Sequence, residues 1–165
     1  MNLQHLLQNH KDKFRQKLIE ALAAKNSLTP DQVVSGHKDF IEQYIADKYE
    51  NVDALITRIT ISERPVLLSL RRDRSREDKC KLCEGNQPNI DEIIRKYGDR
   101  IDFIELYEDK PDCGALYHII FHEDAQEKKL PLTAVISRED ILKFWAGKSV
   151  EPAVYEMYLR KALKG

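Results

Sequence analysis

Cys80-Lys81-Leu82-Cys83 sets two thiols three residues apart. Two thiols at that spacing serve one of two chemistries, reversible thiol–disulfide exchange or half of a metal-ligand set. Exchange needs a thiolate to attack a partner disulfide and a second thiol to resolve the mixed disulfide that forms. A cysteine at the mouth of a helix suits the first task, because the unpaired N–H groups and the positive end of the helix dipole favour negative charge there. Ile90, Ile93, Ile94 and Tyr97 mark a helix downstream of the pair that stops at Gly98. Cys80 is therefore the expected nucleophile and Cys83, one turn into the helix, the resolving thiol. Arg71, Arg72, Arg74, Arg76, Lys79 and Lys81 add six positive charges nearby against Asp73, Glu77 and Asp78. Such a run reads either as a solvated loop or as a field that favours a thiolate or recruits an acidic partner.

The metal alternative draws on Cys80, Cys83, Cys113 and either His118 or His122, and Cys-Lys-Leu-Cys-Glu-Gly resembles a zinc knuckle. The second half of that set lacks compact ligand spacing, and both histidines lie in an apolar helical run from Tyr117 to His122. Cys113 by itself reads as a small buried residue. No metal and no cofactor is expected.

The chain has 165 residues, 42% apolar and 33% charged, enough for one globular domain with an appendage. Its net charge of −1 conceals no asymmetry: residues 1–65 hold nine Lys/Arg and nine Asp/Glu. A general nucleic-acid or membrane-binding role is not expected from this balance. Met1 to Lys13 lacks the apolar centre of a secretory signal, and no run approaches the roughly 18 apolar residues that would span a bilayer. The expected location is the cytoplasm. Three cysteines are too few for a disulfide framework, so a pair separated by two residues is catalytic, redox-sensing or metal-binding before it is structural.

The elements that must position the pair follow from the hydrophobic spacing. Leu3, Leu6, Leu7, His10, Phe14, Leu18 and Leu22 predict a helix over 2–25. Thr29-Pro30-Asp31-Gln32 predicts the start of a second helix, which runs to about Tyr49 and is divided at Ser35-Gly36. Asn51 is placed to cap a further short helix through Ile59, although the alternation of Thr57, Ile59 and Ile61 also permits a strand there. From Pro65 the pattern changes. Val66 to Leu70 reads as a strand covered on both faces, and Ile101 to Tyr107 and Leu132 to Ile136 as two more. Cys113 to Phe121 reads as a helix, Phe144 to Gly147 as a short last strand, and Glu151 to Leu163 as a closing helix with Val154, Met157, Tyr158 and Leu159 inward and with Trp145 and Tyr155 also in the core.

This order of elements, with Cys80 and Cys83 at the joint of the first strand and first helix, resembles the thioredoxin-like superfamily. Pro88 lies five residues after Cys83, as in that family, and Leu130-Pro131-Leu132 resembles its cis-proline step. The resemblance implies an α/β fold, a central mixed sheet flanked by helices, over 65–165, preceded by an all-helical extension over 1–64. It also implies a thiol–disulfide oxidoreductase, with Leu130 and Pro131 offering backbone to a substrate segment beside Cys80. A protein client and a cellular dithiol reductant would be its partners, and the N-terminal helices would serve homo-oligomerisation or the docking of another protein. Lys79 stands where the family has tryptophan, Lys81-Leu82 where it has Gly-Pro, and Ser69 where it has a buried acid. These departures motivate a second expectation, a non-catalytic thioredoxin-fold binding module, beside the zinc-binding alternative.

Overall fold

The computed structural model describes residues 1–121 and 128–164. Its elements are α1 (Leu3–Asn26), α2 (Pro30–Thr60), β1 (Val66–Arg71), α3 (Lys81–Tyr97), a 3-10 turn (Gly98–Arg100), β2 (Asp102–Tyr107), α4 (Pro111–Phe121), β3 (Leu132–Ser137), β4 (Asp140–Ala146) and α5 (Pro152–Lys164). The expected α/β class and helical N-terminal segment are both present. Residue His122 and most of the His122–Lys129 connection lie outside the described residues.

Local chemistry explains where the first helices begin and end. Asn2 caps α1 by accepting the His5 N–H at 3.0 Å, and Ser27 ends it in a left-handed conformation at φ 54°. Thr29 and Gln32 close a reciprocal capping box at the start of α2. Two sequence expectations change here. The break at Ser35-Gly36 is a kink at His37 (φ −126°, ψ 21°), and the helix continues through it. Asn51 caps nothing, because it sits inside α2, which runs to Thr60. The physical reason is burial: Ile41, Ile45, Tyr49, Val52, Ile56 and Ile59 form one unbroken stripe, and its packing outweighs the weak local preference of Asn51 to start a helix.

The four strands make one sheet in the order β2-β1-β3-β4. β1 and β2 are parallel and joined through α3, whereas β3 runs antiparallel to both β1 and β4. β4 is longer than its sequence suggests, because pairing with β3 recruits Asp140 to Lys143 across a register shift at Val135/Ile136.

One hydrophobic cluster covers one face of the sheet and joins α1, α2 and α4 to Val66, Leu68, Leu70, Leu132 and Ala134. The other face carries α3 and α5 over Leu67 and Val135. Trp145 meets Tyr155 and Tyr158 edge-on in that second cluster, as expected of core aromatics, whereas Met157, expected inward, is exposed, because α5 turns Tyr155 and Leu159 to the sheet. No helix among the described residues is long and apolar enough to cross a membrane.

Because α2 and the sheet share one cluster, they should unfold together. Ile56 is fully buried, so Ile56→Ala should cost about 2–5 kcal/mol. Far-ultraviolet dichroism and Trp145 fluorescence should report the same lowered denaturation midpoint; a helical transition separating from the fluorescence transition would refute the shared unit.

Candidate functional site

β1 is buried along its whole length and delivers the chain, through the loop after Arg71, to the start of α3. Cys80 is the N-cap of α3 in extended conformation (φ −87°, ψ 109°), and its Sγ accepts the Cys83 N–H at 3.1 Å. Cys80 and Cys83 are joined as a disulfide with a Cα–Cα separation of 5.2 Å. The two sulfurs are not equivalent. Cys80 is half-buried, whereas Cys83 is 2% exposed and belongs to the cluster that α1, α2 and α4 complete.

Antiparallel pairing of β3 with β1 carries Leu130 and Pro131 to the same end of the sheet, fifty residues on from Cys80. The Leu130–Pro131 peptide bond is cis. Cys80 Sγ lies 3.9 Å from the Leu130 carbonyl oxygen; as a disulfide sulfur it has no proton to donate, so this is a packing contact. All four residues singled out in the sequence, Cys80, Cys83, Leu130 and Pro131, therefore meet at one place. Pro88 lies inside α3 and, lacking an N–H, leaves one turn of the ladder open there.

The basic run beside the dithiol turns out to be largely neutralised. Arg74 pairs with Glu105, and Arg76 with Asp78 at 2.8 Å and with Glu108 at 3.6 Å. Arg72 donates to the Asp78 carbonyl, and Lys79 donates to the carbonyl of Arg74. The segment is a folded loop of ion pairs, so most of the six charges do not act as a field on Cys80.

Arg71 is not in that loop. It is the last residue of β1, 1% exposed, and points toward α3. Its guanidinium donates to Glu84 Oε1 at 2.6 Å, to Gln87 Oε1 at 3.0 Å and to the Arg72 carbonyl at 3.0 Å. Cys80, Cys83, Glu84 and Gln87 share one helical face, so the cation grips α3 immediately behind the dithiol. β1 carries a buried Ser69 followed, on the same face, by this buried cation.

A second polar chain fixes α3 against β3. Asn86 donates to the Tyr155 hydroxyl at 2.9 Å, which donates to Thr133 Oγ1 at 3.0 Å, and Asn86 Oδ1 accepts the Val150 N–H at 2.8 Å. Thr133 lies two residues after Pro131, so the network ties the helix bearing the thiols to the strand bearing the proline. The sequence reading missed Arg71, Asn86 and Gln87. Asn86 and Gln87 were detectable as polar residues at the buried positions of an amphipathic helix, whereas Arg71 was hidden among five other cations.

Cys113 is buried in α4, and burial followed by the nearby Asp112 carboxylate pushes its thiol up to about 11. His118 is half-buried and stacks edge-on with Tyr117. Among the described residues no three His, Cys, Asp or Glu side chains are placed to hold a metal ion, and His122 lies outside them.

No protein-family model and no curated protein matches this chain. Among solved structures, one described as "Structure of a malarial protein" aligns over 61% of this chain and 98% of its own, with 17% identity and a TM-score of 0.47.

After reduction, a thiol alkylating agent at neutral pH should modify Cys80 first and leave Cys113 intact, since a thiol held near 11 is almost wholly protonated there. Peptide mapping reads this directly, and Cys113 labelled as fast as Cys80 would contradict its burial. Tyr155→Phe should cost about 1–3 kcal/mol in denaturant unfolding, because the Asn86 amide and Thr133 hydroxyl lose their bridge in a buried setting. A neutral substitution would show that water replaces the hydroxyl.

Proposed function

We propose that this chain is a thioredoxin-like thiol–disulfide oxidoreductase in which Cys80 attacks and Cys83 resolves. The observation that carries the reading is the asymmetry of the dithiol, with Cys80 half-buried at the helix cap beside Leu130 and Cys83 buried behind it. The sheet order β2-β1-β3-β4 with β3 antiparallel, and the dithiol at the joint of β1 and α3, support the thioredoxin-like assignment.

In the reducing direction, the Cys80 thiolate attacks one sulfur of a client disulfide, forming a mixed disulfide and expelling the other client sulfur as a thiolate. The Cys83 thiolate then attacks Cys80 Sγ, which releases the second client thiolate and closes the Cys80–Cys83 disulfide. A dithiol reductant restores the pair by the same two exchanges. Negative charge on Cys80 is stabilised by the Cys83 N–H and the free end of α3. Leu130 and Pro131 present backbone for an extended client segment. A reducing compartment such as the cytoplasm suits this cycle.

The absence of a buried acid at Ser69, with the Arg71 cation beside it, favours a second reading as a non-catalytic thioredoxin-fold binding module. Reduction of insulin by a dithiol donor separates the two. Wild-type protein should accelerate the reaction, Cys80→Ser should fall to the uncatalysed rate, and Cys83→Ser should accumulate a mixed disulfide with the substrate. Unchanged activity in Cys80→Ser would sink the mechanism; no acceleration by the wild type and no trapped adduct would favour the binding module.

A further inference from the structure

The outer edge of β4, unpaired among the described residues beyond its first residues, offers a groove that the exchange chemistry does not use. A cavity of about 330 Å³ is lined by Phe121, Lys129, Lys143, Phe144, Trp145, Ala146 and Lys148. Lys143 to Ala146 are consecutive strand residues, so their side chains point to alternate faces of the sheet. A cavity that touches both sets lies along the edge of the strand. β4 is the terminal strand of the sheet, and Gly147 N–H donates to the Pro131 carbonyl at 3.0 Å. Antiparallel alternation then turns the backbone groups of Phe144 and Ala146 outward.

The protein already uses this edge once. Further along it, Leu3 N–H donates to the Glu139 carbonyl and Ile141 N–H to the Met1 carbonyl, both at 2.7 Å, and Asn2 bridges Asp140 in antiparallel sense. Residues 1–3 thus pair with the start of β4 and stop short of the groove.

The charge of the groove sets the chemistry of its occupant. Lys143 and Lys148 form no ion pair among the described residues, although the basic loop after β1 has neutralised nearly all of its own cations. Lys129 lies over the Phe121 ring at 5.5 Å. One wall of the groove, Lys129, leads along the chain to the dithiol site. Gly147, at φ 67°, lets β4 approach Lys129 so closely that a Cβ there would lie 3.0 Å from the Lys129 Cβ. Lys129 adjoins Leu130, whose carbonyl touches Cys80 Sγ.

We propose that this groove takes an extended acidic segment of the client protein, which adds to β4 as a further strand and sets its carboxylates against Lys143 and Lys148. Cys80 lies near the line of β3, two strand spacings from the added segment, roughly 10 Å. About three extended residues must therefore separate the acidic segment from the client cysteine. The docking surface stands on its own geometry; its use in presenting a disulfide rests on the oxidoreductase reading.

Trp145 is the only tryptophan in the chain, so its fluorescence reports the groove directly. The probe is a short peptide alternating glutamate with valine, compared with one alternating lysine with valine. The acidic peptide should shift Trp145 emission saturably, and added salt should weaken it. Lys143→Glu combined with Lys148→Glu should weaken binding by about tenfold, and the two Lys→Gln changes by less. Cys80→Ser should leave binding unchanged. Equal binding of the two peptides, or indifference to charge reversal, would overturn the proposal. So would a wild-type dimer that the double reversal dissociates, since a second copy would then be the occupant. A disulfide attached about three residues from the glutamate segment should be exchanged with lower KM than one attached to the lysine peptide. Saturable binding with no exchange of either would defeat the oxidoreductase reading and leave the docking site standing.

Discussion

β1 is buried on both faces, so none of its backbone N–H and C=O groups can turn to water, and each must find a partner in the sheet. That requirement pulls β2 in on one side, parallel, and β3 on the other, antiparallel. The parallel neighbour forces a crossover, which is α3, and its first turn carries the dithiol. The antiparallel neighbour returns the chain so that Leu130 and Pro131 arrive at the same end of the sheet. The contact between Cys80 and Leu130, across fifty residues of sequence, is thus a consequence of hydrogen-bond satisfaction along one apolar strand.

Two buried polar networks then set how the helix sits. Arg71 holds Glu84 and Gln87 from below, while Tyr155 and Thr133 hold Asn86, on the same turn, from the side. Glu84 is 46% exposed, so the Arg71 pair is half in solvent and contributes less as charge attraction than as a fixed geometry for a guanidinium already buried. Together these contacts leave α3 little freedom to rotate, and rotation would be needed to exchange the half-buried sulfur for the buried one. The inequality of Cys80 and Cys83, on which the proposed order of attack rests, follows from that restraint.

Charge is distributed unevenly in its effect. The loop after β1 contains the densest basic stretch of the sequence and spends it on acids within the same loop and at the ends of β2. The groove on β4 has three cations, Lys129 and the pair Lys143 and Lys148, and the latter two have no ion-pair partner among the described residues. A linear count of charges points to the first region, whereas among the described residues the unpaired lysines Lys143 and Lys148 belong to the second.

The helical N-terminus, the strands at 66 and 132, the helix cap at Cys80 and the cysteine–proline pattern were legible in the residues, because periodicity and capping are local properties of a chain. Cys80, Cys83, Leu130 and Pro131 were singled out from their spacing, and the fold brings them to one place. The continuity of α2 past Asn51, the length of β4, the burial of Arg71 and the neutralisation of its neighbours were not legible. Each is decided by what packs opposite: a stripe of apolar contacts overrides a weak cap, a partner strand recruits polar residues, and an arginine is a surface charge or a buried clamp according to which helix lies above it. Tertiary structure alone chose among those outcomes, since side-chain burial and pairing are properties of the neighbours and not of the residue.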